Sequence, residues 1–112
     1  MLVSHIAICQ NDHVDAVEVA KALSSSTRAD ILHWLKDPDG NFVSRREGDL
    51  DPRGVCASLI AEKAGVSQPT MSRHLDVLRR AELIETERVV GWAYHRRNED
   101  GLARARSALA DL

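Results

Sequence analysis

Residues 55–97 read VCASLIAEKAGVSQPTMSRHLDVLRRAELIETERVVGWAYHRR. The first part, 55–81, has the pattern helix, tight turn, helix. Val55, Leu59 and Ile60 share one face of a helix running to Ala64, with Ala61 and Ala64 small enough for close packing. Gly65 stands where a helix ends in a left-handed residue, because glycine has no Cβ to clash. Ser67 is an N-cap residue, and Pro69 falls in the following first turn, where a missing N–H costs nothing. The next helix, from Gln68 to about Ala81, buries Met71, Leu75 and Leu78. Its other side shows Gln68, Thr70, Ser72, Arg73 and His74, with no acidic residue before Asp76. Short hydrogen-bonding groups and cations suit a helix whose N-terminal half enters the major groove and meets base edges and phosphates.

After that helix the period changes from helical to alternating. Leu83 and Ile84 open a β segment, Gly91 permits a tight reversal, and WAYHRR returns as a second strand. Arg88, His95, Arg96 and Arg97 decorate this hairpin, 83–97, which forms a wing able to lie on a groove or on the DNA backbone. The fold expected is mainly α with a small β-hairpin wing: a winged helix-turn-helix. Its DNA contacts are expected from Ser67, Gln68, Thr70, Ser72, Arg73 and His74 of the recognition helix and from Arg88 and Arg96 of the wing.

The string SQPTMSRHLDVLRRAELI, followed by a Gly-Trp-Ala-Tyr hairpin, resembles the ArsR/SmtB family of bacterial metal- and stress-responsive repressors. The upstream ALSSSTRADILHWL is similar to that family's second helix, with its Ser-Thr-Arg start before an apolar run. The resemblance covers roughly residues 17–102. One departure is that glycine stands at Gly91, directly before Trp92, where many relatives carry it at the position of Val90. The resemblance implies a homodimer on double-stranded DNA, built through N- and C-terminal helices, and release from an operator by an inducer.

A chain of 112 residues suffices for one small domain, 1–112. No apolar run approaches transmembrane length, and the start, MLVSHIAICQNDH, lacks a basic region before a long apolar core, so neither a membrane span nor a signal peptide is expected. Two cysteines far apart point to a reducing cytoplasm rather than a structural disulfide. Net charge is −2, but its distribution is uneven. Residues 67–97 carry six Lys/Arg against four acids, whereas residues 1–66 carry seven against ten. Positive charge is concentrated where the DNA-binding unit lies.

In chain order, Asp12 can cap a first helix, 12–23, with Val14, Val17, Ala20 and Leu23 at helical spacing. Ser26 or Thr27 caps a second, carrying Ile31, Leu32 and Leu35, which Asp37-Pro38-Asp39-Gly40 ends abruptly. From Asp37 to Gly54 the connection is long for a compact domain, anchored only by Phe42, Val43 and Leu50. After the wing, Asn98 caps a final helix, 98–112, whose Leu102, Ala105, Leu109 and Leu112 form a narrow apolar seam. The helices 12–23 and 98–112 are the expected dimerisation elements. Two-fold symmetry would set two recognition helices ~34 Å apart, matching an inverted-repeat operator.

Relatives in the family bind soft metals or arsenite through cysteines on the helix before the recognition helix, and Cys56 stands at its head. The Cys-x-Cys-x-x-Cys pattern of the best-known arsenic sites is incomplete here, with Ser58 and Ala61 at the other two places. Cys9 is available to complete a site with Cys56, and His5, Cys9 and His13 would align on one helical face. Two thiolates of this kind suit a thiophilic metal or arsenite as inducer. The alternatives are a thiol-redox switch, or cysteines that only pack and an inducer bound elsewhere. The family's other sensor site, at the C-terminal helices, falls near Glu99, Gly101 and Leu112 and lacks its ligands. No enzyme signature is present: there is no P-loop, no GxSxG and no HExxH. A winged-helix module that binds protein rather than DNA is the rival reading, but such modules usually lose the polar, cationic face that this helix keeps.

Overall fold

The computed structural model describes residues 15–112, which form six helices and one small sheet. Helices α1 (Ala16–Leu23), α2 (Ser26–Lys36) and the single turn α3 (Pro38–Asn41) come first. Strands β1 (Leu50–Asp51) and β2 (Gly54–Cys56) follow, then α4 (Ala57–Ala64) and α5 (Gln68–Arg80). Strands β3 (Ile84–Val89) and β4 (Trp92–Arg97) form the wing, and α6 (Glu99–Ala110) ends the fold. The core joins Ile31 and Leu35 of α2, Leu59 and Ile60 of α4, Met71, Leu75 and Leu78 of α5, and Leu83 and Ile84 at the start of the wing. No helix among the described residues is long and apolar enough to cross a membrane.

The wing is part of a larger sheet than expected. Its strand order is β1-β2-β4-β3, all antiparallel, with Val55 opposite His95 and Cys56 opposite Tyr94. Val55 and Cys56 therefore belong to a strand, and the first helix of the helix-turn-helix begins at Ala57, two residues later than the helical pattern suggests. Gly54 makes the pairing possible: at φ 147 it lies so close to the His95 backbone that a side chain would collide with it. The Asp37–Gly54 connection is correspondingly less open than its length implies. Asp37 caps α3 through Gly40, and Asp49 is buried with its carboxylate accepting from the backbone N–H groups of Arg45 and Arg46 at 3.1 and 2.9 Å. Phe42 of this segment is buried with its ring edge-on to Trp34 of α2, whereas Val43, expected to anchor the segment, is 76% exposed.

The first helix differs in its cap and in its facing. Asp15 caps α1 by accepting from the Val17 N–H at 2.9 Å, and the residues before it lie outside those described. Val19 and Ala22 point into the core, so the stripe Val17, Ala20 and Leu23 faces outward. Ser25, not Ser26 or Thr27, caps α2. In α6, Ala105 is buried and Leu102 and Ala108 are partly buried against the core, while Leu109 and Leu112 stay exposed. Asn98 caps this helix by accepting from the Gly101 N–H at 3.0 Å, as its side chain and position imply.

Candidate nucleic-acid interface

Local chemistry sets the angle between α4 and α5. Gly65 sits at φ 70 and closes α4 with its N–H on the Glu62 carbonyl, while Val66 N–H reaches back to Ala61, both at 3.2 Å. Ser67 then caps α5, its hydroxyl accepting from the Thr70 N–H at 3.3 Å, with Pro69 in the first turn. Met71, Leu75 and Leu78 fix the buried side. That leaves Ser67, Gln68, Ser72 and Arg73 exposed and Thr70 half-buried on the outer side of the first two turns. The first turn carries no acidic residue, so its backbone N–H groups and partial positive charge favour an anion.

Two of these side chains already have neighbours. Gln68 Nε2 donates to Ser58 Oγ at 2.8 Å, which ties the head of α5 to the head of α4. His74 is half-buried, with Nδ1 3.0 Å from a guanidinium nitrogen of Arg28 on α2. Burial, and then the Arg28 charge, holds its pKa below the ordinary value for histidine. Arg73 makes no ion pair among the described residues, whereas Arg79 pairs with Asp76.

The wing turns one face to α5. A cleft of about 420 Å³ lies between them, lined by Gln68, Ser72 and Arg79 of the helix and by Arg88, Ala93 and His95 of the hairpin. Strand alternation places Arg88 and His95 on that face, since Thr86 is opposite His95 and Arg88 opposite Ala93. His95 is buried and shares a hydrogen bond of 2.9 Å with Thr86 Oγ1. Burial, reinforced by the Arg79 and Arg88 charges, pushes its pKa down to about 4. It is therefore a neutral support for the cleft. Arg96 falls on the opposite face of the hairpin, where its guanidinium meets Glu87 at 2.9 Å, Glu85 at 3.8 Å and the Arg53 carbonyl at 3.2 Å. The two wing arginines singled out from sequence thus do not stand together.

Arg79 joins this surface although the expected contacts do not include it. Its signal was available in the spacing of Gln68, Ser72, Asp76 and Arg79, which recur along one side of a 3.6-residue helix. Nothing local announces Arg28, whose partner His74 lies forty-six residues away.

Cys56 is buried, and its thiol donates to Asp49 Oδ1 at 3.5 Å. Burial above all pushes its pKa up, and the Asp49 charge and hydrogen bond work in the same direction. Cys9, with His5 and His13, lies outside the described residues. Among the described residues no three of His, Cys, Asp and Glu cluster as metal ligands.

The helix-turn-helix and the start of the wing's first strand fall within residues 23–87, which match the family model described as a helix-turn-helix domain. The chain is 40% identical over 91 residues to the uncharacterized HTH-type transcriptional regulator YbzH of Bacillus subtilis (strain 168), covering 81% of this chain and 91% of that protein. It is 34% identical over 80 residues to the transcriptional repressor SdpR of the same organism, covering 71% and 72%. The fold is similar to that of the ArsR family transcriptional regulator RHA00566, with a TM-score of 0.61 at 17% identity, over 84% of this chain and 81% of that one. It is also similar to the homodimeric winged helix-turn-helix DNA-binding domain of Mb0332 from Mycobacterium bovis, a possible ArsR-family regulator, with a TM-score of 0.57 at 23% identity, over 93% and 78%. A matched helix-turn-helix domain and two regulator relatives lead to one conclusion: the chain belongs to the helix-turn-helix transcriptional regulators, and its winged fold is the one found in ArsR-family structures.

Proposed function

We propose that the chain is a homodimeric repressor that reads an inverted-repeat operator in double-stranded DNA. The observation that carries this is the outer side of α5: Ser67, Gln68, Thr70, Ser72 and Arg73 at its N-terminal half, without an acid in the first turn, beside a wing that presents Arg88. In this reading Gln68, Thr70, Ser72 and Arg73 contact base edges and phosphates, Ser67 keeps the helix start fixed, and Arg88 follows the backbone. Arg96, engaged with Glu85 and Glu87, serves the shape of the wing. Repression is supported by the relative SdpR, a transcriptional repressor.

The dimer is supported by apolar surface that the described chain leaves open. Val17, Ala20 and Leu23 line one side of α1, and Leu109 and Leu112 lie exposed at the end of α6, which packs against α1. The neighbour Mb0332 is homodimeric. Binding of DNA from the chain's own upstream region, followed by electrophoretic shift across a salt series, tests the whole reading. Affinity should fall steeply with salt as phosphate contacts release counterions. Absence of any shift at low salt would refute DNA binding.

An inducer completes the proposal. Cys56 with Cys9 would be its ligands if it is a thiophilic metal or arsenite. Such an ion must displace a proton that burial and Asp49 hold on the Cys56 sulfur. Release of the DNA complex by arsenite, Cd²⁺, Zn²⁺ or peroxide, compared with Cys56→Ser, decides this. Equal release from both would assign Cys56 to packing and move the inducer site elsewhere.

A further inference from the structure

Arg28, near the start of α2, joins three elements. Its Nε donates to the Ala22 carbonyl and its Nη2 to the Lys21 carbonyl, both at 2.8 Å, which satisfies carbonyls at the end of α1. Its Nη1 lies 3.0 Å from Nδ1 of His74 on α5. A guanidinium has donors only and remains charged at any ordinary pH. Nδ1 must therefore be the acceptor, so it carries no proton. A neutral His74 then has a single available tautomer, with its hydrogen on Nε2. Nε2 has no protein partner among the described residues, and the half-buried ring directly follows Arg73 on the recognition helix. What stands at that edge of α5 is one N–H donor of fixed orientation. DNA offers acceptors along its backbone, and contacts to them fix the register of a recognition helix.

We propose that Arg28 is a positioning residue for DNA binding, holding His74 as the Nε2–H tautomer so that this N–H donates to a DNA phosphate oxygen. The inference rests on the reading that α5 meets DNA. It adds a residue that never touches the nucleic acid, and it makes the end of α1 part of the support of the recognition helix. Loss of Arg28 would leave His74 free to exchange tautomers and to rotate away.

Nitrogen NMR of the imidazole, in the full chain without DNA, reads the first half directly. The wild-type ring should show a protonated Nε2 and a bare Nδ1 at neutral pH, and Arg28→Gln should give a mixture. Binding to a labelled random-sequence duplex at low salt reads the second half, because a phosphate contact is independent of sequence. Arg28→Gln should weaken it about tenfold, the value of one hydrogen bond to a charged acceptor. His74→Gln supplies an amide N–H near the place of Nε2 without a tautomer to choose. Arg28→Gln should therefore cost little more in that background. If Arg28→Gln does not fold, His74→Asn substitutes: it keeps an acceptor for Arg28, lacks the outer N–H, and should show the same loss. A proton on Nδ1 in the wild type, equal losses from Arg28→Gln in both backgrounds, or full binding by His74→Asn would overturn the positioning role. Failure of the wild type to bind any duplex would instead overturn the DNA reading beneath it, and the ring spectrum distinguishes the two.

Discussion

Gly101 lies directly against the backbone carbonyl of Glu82, so closely that a Cβ there would overlap the oxygen. Glu82 itself turns at φ 60, and Asn98 N–H bonds the next carbonyl, Leu83, at 3.0 Å. The final helix thus starts on the turn that ends the recognition helix. Gly101→Ala should separate them and cost roughly 2–3 kcal/mol, since neither backbone can yield cheaply. The urea midpoint should fall accordingly. An unchanged midpoint would mean that α6 does not dock there.

Arg73→Ala should leave stability unchanged and weaken operator binding. If Arg73 reads a guanine, the loss is about 1–3 kcal/mol, with relaxed specificity at one base pair. Titration of matched and mismatched duplexes measures both. Unchanged affinity at every salt concentration would remove Arg73 from the interface.

His95 should make the fold sensitive to mild acid. Its pKa falls from the ordinary 6.5 to about 4 in the folded chain. Between these values the unfolded chain binds a proton that the folded chain refuses, so stability is full above pH 6.5 and declines as pH falls towards 4. The decline is about 3 kcal/mol for a pKa difference of this size. Denaturant unfolding from pH 7 to 4 should show it, and His95→Gln should flatten the curve. An equally steep curve in that variant would assign the effect to other groups.

Val90 and Gly91 form the two-residue turn between Val89 and Trp92, and both have positive φ, 29 and 81. Glycine tolerates this, but a β-branched side chain does not. Val90 is also 95% exposed, so its side chain gains nothing by burial. Val90→Asn should stabilise the chain by about 1 kcal/mol. A lower melting temperature in the variant would show that Val90 has a compensating role at the wing tip.

Leu109→Glu places a charge on exposed surface, so the monomer should keep its helical signal. Light scattering should then report a monomer, and binding to a palindromic site should be lost. A wild-type protein that is folded and monomeric at micromolar concentration would refute the dimer.

The recognition helix was readable from sequence because its instructions are local. Gly65, Ser67 and Pro69 each act within one turn of their own position, and Met71, Leu75 and Leu78 repeat at helical spacing. Strand β2 was not readable for the opposite reason. Val55 and Cys56 extend because His95 and Tyr94, far along the chain, offer a free edge, and helical periodicity in residues 55–60 concealed it. Helix α1 shows the expected stripe Val17, Ala20 and Leu23 turned outward, because packing buries Val19 and Ala22 instead. The wing arginines were legible as charges. Their assignment to opposite faces needed the strand register, which places Arg88 opposite Ala93 and Arg96 opposite Glu85.

That register also constrains how the wing can change length. Strand neighbours alternate faces, so if the turn is to stay at two residues, a single residue inserted between Val89 and Trp92 forces one strand to slip against the other. The slip would both take Arg88 off the face it shares with His95 and separate Glu85 from Arg96. Because β4 is also paired to β2, it cannot slip without pulling on the segment that leads into α4. Growth or trimming of this wing is therefore tolerated in matched pairs, one residue on each strand. Each such step changes the hairpin by two residues and keeps the register, so wing length among viable variants that retain this turn should change by even numbers.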